Sequence, residues 1–296
     1  MKFGLPYQGS KSKIAPWVID HLPKADCFVD MMAGGCAVTH AAMVSGKYKR
    51  FIANDIEGIP EIFKNAIEGK YRDFRTVPTR EEFFNTDDKL VKLLYSFGND
   101  RKSYLWGPKN EKIKVIASRM LTAKTLHERR MYYLQFVRTL PGYEGGRLQE
   151  LEGLENLERL QGLERLEGLE RLEGLERFQG LQRLKTYALD YRDVEIPKNA
   201  VVYCDPPYRS TPNSKRYTDA FDYREFDEWL NEVTFPVYVS EYNAPDGCVE
   251  IAEIERMSTM AAKGNVIRTE KLFVQERFLN GYKDSTEDKG GEALTG

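Results

Sequence analysis

The chain has 296 residues, 41% hydrophobic and 30% charged, which fits a globular protein with room for one large α/β domain plus an insertion, or for two domains. There is no apolar run of about 18 residues, and the start, MKFGLPYQGSKSK, lacks the apolar core of a signal peptide, so neither a membrane span nor secretion is expected. Net charge is −2, and the scattered cysteines (Cys27, Cys36, Cys204, Cys248) and histidines (His21, His40, His127) make no metal spacing and no His-based triad, so the expectation is a metal-free cytoplasmic protein.

The first predicted element is an amphipathic helix containing Trp17, preceded by a Gly-Ser-Lys turn, in LPYQGSKSKIAPWVIDHLP (5–23). Such a segment can close over an adenosine-bearing ligand, with Tyr7 stacking and Lys11 supplying charge. DCFVDMMAGGCAVTHAAM (26–43) reads as strand, glycine turn and helix, with Gly34 and Gly35 allowing a ligand close to the backbone and the helix N-terminus. A second strand in KRFIANDIEG (49–58) ends in Asn54-Asp55, about 20 residues past the glycines. That offset places an acid for a ribose hydroxyl pair, although a helix N-cap is an equally ordinary use of Asp.

From Arg101 to Arg138, five Lys and five Arg stand against Glu111 and Glu128, interleaved with Tyr104, Trp106, Tyr132 and Tyr133. A polyanion partner and a solvated helical face both fit this pattern. Residues 148–184 place Leu or Phe178 at every third position and repeat LEGLER. A period of three drifts around an α-helix, and Gly162, Gly168, Gly174 and Gly180 each cost about 1 kcal/mol there, so a helical arm of uncertain regularity is expected. It reads as a tolerated surface insertion, or as a docking or self-association element.

Val201, Val202, Tyr203 and Cys204 in NAVVYCDPPYRS (199–210) read as a buried strand that stops at Asp205-Pro206-Pro207-Tyr208. The prolines force the chain stiffly out of the sheet at its carboxyl edge, where open α/β sheets bind ligands.

Four matches in one order, YQGSK, FVDMMAGG, IANDI and YCDPPY, resemble the Dam-like (D12 class) adenine-specific DNA methyltransferases, particularly their phage-type members. The resemblance covers roughly 5–65 and 187–280. It implies a doubly wound, Rossmann-like α/β sheet interrupted by a mostly helical recognition region and by the leucine-repeat arm. S-adenosylmethionine is the implied cofactor, held by Tyr7, Lys11, Asp30, Met32, Gly34, Gly35, Asp55, Asp190 and Tyr191, with duplex DNA as partner. Met31-Met32 and Cys36 depart from the family's usual Pro-Phe and third glycine. Asp205, Pro206, Pro207 and Tyr208 are the implied catalytic group: the carboxylate and the Pro206 carbonyl accept the N–H bonds of a target amine, and Tyr208 stacks on the flipped base.

The expected organisation is a catalytic domain from 1–65 and 186–285, a target recognition insert over 66–147, the arm over 148–185 and a disordered tail over 286–296. Transfer to cytosine N4 is the nearer alternative, and a non-catalytic assembly protein using the repeat is the distant one.

Overall fold

A computed structural model describes residues 2–139, 183–209, 221–258 and 266–287. The chain divides into two compact units. The sheet unit takes residues 1–4, 11–61 and 181–296, and the helical unit takes 5–10 and 62–180.

Among the described residues the sheet has seven strands: β1 (Cys27–Asp30), β2 (Arg50–Asn54), β3 (Leu184–Tyr187), β4 (Ala200–Cys204), β5 (Val237–Glu241), β6 (Cys248–Ser258) and β7 (Val266–Gln275). Their order is β3-β2-β1-β4-β5-β7-β6. The first five are parallel, and β7 runs antiparallel between β5 and β6. β1, β4 and β5 are rich in β-branched, aromatic and small apolar residues because both of their faces are covered. One face puts Cys27, Val29, Val202, Cys204, Val237 and Val239 into a core closed by Phe226 and Leu230 of helix α8 (Tyr223–Glu232). The alternate residues Phe28, Tyr203 and Tyr238 point the other way, where Phe28 meets Tyr48 and Tyr238 meets Tyr282 of α9 (Leu279–Glu287). The sheet is therefore doubly wound, as expected. The chain reverses its direction of travel across the sheet between β1 and β4, which is the topological switch point of this strand order.

Helix α1 (Ala15–His21) packs with α2 (Ala37–Ser45), whose residues Ala37 to Met43 are all buried. Gly4 lies against the glycine turn that starts α2. Its φ is +69° and a Cβ there would come within 2.4 Å of the Gly35 carbonyl oxygen, so only glycine fits. The Gly4 amide donates to Nδ1 of buried His40, at 3.0 Å.

In the helical unit, α4 (Arg80–Asn85) and α7 (Leu126–Val137) each begin with a complete capping box, Thr79 with Glu82 and Thr125 with Glu128. α5 (Lys89–Leu94) and α6 (Glu111–Thr122) complete the described α-helices of this unit after α3 (Ile59–Ile67), which starts in the sheet unit. Tyr104 and Trp106, read from sequence as surface aromatics beside basic residues, are buried; the Tyr104 hydroxyl donates to the Pro78 carbonyl at 2.7 Å.

Three boundaries differ from expectation. Leu184 and Lys185 belong to β3 and not to the arm, because their backbones pair with Phe51 and Ile52 of β2. Residues 5–10 and 62–65 group with the helical unit; within it the Arg101 guanidinium sits 5.1 Å above the Tyr7 ring. α9 continues to Glu287, past the expected start of the tail. The arm from 148 to 182 and the tail from 288 lie outside the described residues.

Candidate functional site

The carboxyl ends of β1, β2 and β4 gather most of the residues singled out in the sequence. β1 and β4 are neighbours with Asp30 opposite Tyr203, and the Met31 amide donates to the Tyr203 carbonyl at 2.9 Å. The glycine turn after β1 and the Asp205 loop after β4 therefore leave the sheet side by side.

The turn is held by two acids. Asp30, 1% exposed, accepts both the Thr39 hydroxyl (2.6 Å) and the Thr39 amide (3.1 Å) at Oδ2, tying the strand end to the first turn of α2. Burial pushes its carboxyl up to about 7, against the pull of the Thr39 hydroxyl. Asp30 thus lies beneath the turn and braces it. Asp55, at the tip of β2, accepts the Gly34 amide at 3.0 Å through Oδ2 and the Glu57 amide at 3.0 Å through Oδ1. It links the second strand to the glycine turn and does not cap α3, which starts at Ile59. Gly34 has φ +47°, and Met32 is half-buried against the core.

Asn54, buried beside Asp55, was named in the sequence only as the end of its strand. Its amide donates to the carbonyls of Met31 and Leu189, both at 3.0 Å, while its oxygen accepts the Leu189 amide at 3.0 Å. One side chain so ties the ends of β1, β2 and the segment after β3. Ile56 and Leu189 are 72% and 40% exposed at these ends, apolar surface beside two acids. Asp190 caps the short helical turn that follows and holds Arg192 through both oxygens, at 2.8 and 2.9 Å, which lowers its carboxyl below the usual range. The Tyr191 ring packs against Trp229 and Phe226, at 5.0 and 5.5 Å between ring centres.

The second cluster surrounds Asp205. Lys11, 6% exposed, places Nζ 2.8 Å from Asp205 Oδ1, 4.0 Å from Glu270 Oε2 and 4.4 Å from the centre of the Tyr208 ring. Lys11 therefore meets the Asp205 loop, where the sequence suggested cofactor charge. The Tyr208 hydroxyl donates to Glu270 Oε2 at 2.6 Å, and its ring meets Tyr242 edge-on at 4.5 Å. At 8% exposure Tyr208 is more enclosed than a Pro-Pro-Tyr loop suggests, and burial raises its phenol pKa. Glu241, 1% exposed at the end of β5, accepts the amides of Tyr242 (2.8 Å) and Arg209 (3.2 Å). Burial pushes its carboxyl up to about 7. Arg209 is itself held by Asp227, at 2.6 Å. Glu241 and Glu270 were missed in the sequence; the only signal was an acid inside each of two strand-like runs, VYVSE and VIRTEKLFVQ.

Tyr7 is the one candidate that falls in the helical unit. That unit has a cleft of about 560 Å³ lined by Arg75, Val77, Arg119, Lys124 and Tyr132 among others. Its cations are engaged: Arg119 by the Val77 carbonyl and Glu82, Lys124 by Asp73. The cleft offers no convergent reactive set.

A family model described as D12 class N6 adenine-specific DNA methyltransferase matches residues 7–245. No curated protein matches the chain.

Proposed function

The chain belongs to the D12 class of N6 adenine-specific DNA methyltransferases, and from that premise we propose which of its residues perform the transfer. It is an enzyme that methylates adenine N6 in DNA with S-adenosylmethionine as methyl donor, which removes the cytosine-N4 and assembly-protein alternatives.

The residues at the carboxyl ends of β1, β2 and β3 fit the cofactor. Gly34 and Gly35 are buried at the start of α2, where the Gly34 amide is held by Asp55 and Gly4 packs on the Gly35 carbonyl, so they shape the turn while its outer side is offered by half-buried Met32 and Ala33. Asp55 and Asp190 offer carboxylate oxygens to hydroxyl or amino groups, and exposed Ile56 and Leu189 offer apolar surface to a purine. When bound, S-adenosylmethionine supplies a sulfonium methyl of high electrophilicity. Everything else falls to the chain. An adenine amine shares its lone pair with the ring and is a poor nucleophile, so it needs orienting acceptors. Asp205 and the Pro206 carbonyl take that role, each accepting one N–H bond and directing the nitrogen lone pair toward the methyl. The prolines hold both acceptors in one geometry, and Tyr208 lines the wall against which the base rests. Asp30 and Asn54 act beneath, by fixing the strand ends. The basic helices of 66–147 are the recognition region and duplex DNA is the substrate form, with the adenine flipped out of the stack.

The observation that carries this reading is the position of Asp205. It leaves β4 at the switch point, beside the glycine turn, with an oxygen 2.8 Å from a buried ammonium. Asp205→Ala should lose methyl transfer, followed with tritiated cofactor, while calorimetry shows cofactor affinity nearly intact. Full activity in that variant would sink the assignment.

A further inference from the structure

We propose that Glu270 is a positioning residue for methyl transfer, acting through Lys11 and Tyr208; this rests on the roles given above to Asp205 and Tyr208. Glu270 lies on β7, beyond the residues 7–245 matched by the family. It is 1% exposed, and a carboxylate at that depth is costly unless cations and donors meet it. Oε2 receives the Tyr208 hydroxyl at 2.6 Å and lies 4.0 Å from Lys11 Nζ. The same ammonium is 2.8 Å from Asp205 Oδ1.

Two consequences follow. A phenol has one proton to donate, and Glu270 takes it, so the tip of the Tyr208 ring is fixed to a strand. That strand is itself held on both sides, by β5 and β6, which makes it a rigid support. The second consequence is electrostatic. One ammonium stands between two carboxylates, so neither holds it alone. With the charge of Glu270 removed, Lys11 would be drawn wholly onto Asp205 and would compete with the adenine amine for that carboxylate. Glu270 thus keeps Asp205 available as an acceptor while orienting the ring beside it.

Glu270→Gln keeps the volume and removes the charge. Its single-turnover transfer rate should fall at least about tenfold, with cofactor affinity and the KM for DNA within about threefold, so that the loss sits in kcat. Because the charge acts through Lys11, the same change made on a Lys11→Met background should cost less than about threefold more. A Glu270→Gln rate within about twofold of the parent, or an equal loss in both backgrounds, overturns the proposal. So does a lowered melting temperature with an unchanged rate. If Glu270→Gln does not fold well enough to bind cofactor, Tyr208→Phe tests the same pairing from the other side. Its transfer rate should fall about tenfold, and a rate within about twofold of the parent counts against the role. Asp205→Ala run alongside separates the two readings: full activity there ends the site assignment, whatever Glu270→Gln does.

Discussion

The carboxyl edge of the sheet and the helical unit treat charge in opposite ways. At the sheet edge Asp30, Glu241 and Glu270 are almost fully buried, and Lys11 is nearly so. In the helical unit Lys109, Lys112, Lys124, Arg129, Arg130 and Arg138 are exposed. Buried charges must be met by fixed partners, and Lys11, Thr39, Tyr208 and the amides of Arg209 and Tyr242 meet them here. Such groups cannot reorganise cheaply, which suits chemistry that depends on orientation. Exposed cations keep their hydration and exchange counterions for phosphates, which suits a partner that must be bound and released. The contrast predicts that perturbing the sheet edge changes stability and rate, whereas perturbing the helical surface changes salt-dependent binding.

The largest effect on stability should come from His40. Burial holds its imidazole down at about 4, and its Nδ1 accepts the Gly4 amide, so the folded state keeps it neutral. The unfolded chain takes up its proton near pH 6.5, so this contribution is full above that pH and is lost as pH falls toward 4. It amounts to about 3 kcal/mol. Asp30 and Glu241 act with the opposite sign, because carboxyls raised to about 7 favour the folded state at low pH and lose that advantage as pH rises through 7. The parent alone would mix these trends. The measurement is therefore the unfolding free energy of the parent minus that of His40→Gln, which should shrink by about 3 kcal/mol between pH 7.5 and 4. A flat difference would mean that the imidazole is not buried as described.

Asp55→Ala comes next and tests whether the sheet edge joins fold and function. Removing its carboxylate leaves the Gly34 and Glu57 amides without their acceptor and takes away the proposed ribose hydrogen bond. Cofactor affinity should fall by roughly 1.5–3 kcal/mol, and the melting temperature should fall as well. Weaker binding with no change in melting would show that the turn holds its shape without Asp55. Lower melting with intact binding would make Asp55 purely structural.

What could be read in the sequence follows the same division. Strands β1, β2 and β4, the glycine turn and the Asp205 loop were legible because short apolar runs end there at Asp, Gly or Pro, a local signal, whereas β3, β5, β6 and β7 were not read. Asp55 was legible by its offset from the glycines, although its bond to the Gly34 amide was not. Glu270 and Asn54 were opaque, since their partners stand 62 and 135 residues away along the chain. Leu184 continues the leucine period and was assigned to the arm, but β2 offers its backbone a ladder, and pairing outranks period. Tyr104 and Trp106 misled for a related reason. Aromatic residues among lysines look like a stacking surface until the unit's own core claims them.

The smallest effect on stability is expected at Arg129 and Arg130, where the contrast is sharpest. Both lie on α7 and are exposed, as are their neighbours Leu126 and Met131. With nothing buried at either position, reversal of both to Glu should move the unfolding free energy by no more than about 0.5 kcal/mol. Transfer at saturating DNA should change little, because the acceptors at Asp205 belong to the sheet unit. The readout is the dependence of DNA affinity on salt. Each phosphate that is no longer neutralised lowers the log–log slope by about 0.9, so removing both cations should lower it by nearly two. Repulsion from the new carboxylates would weaken binding further at low salt and fade at high salt, which separates it from a failure of base recognition. An unchanged slope would show that this face of α7 meets only solvent. The recognition surface would then have to be sought among the other exposed cations of the unit, beginning with Lys109 and Lys112.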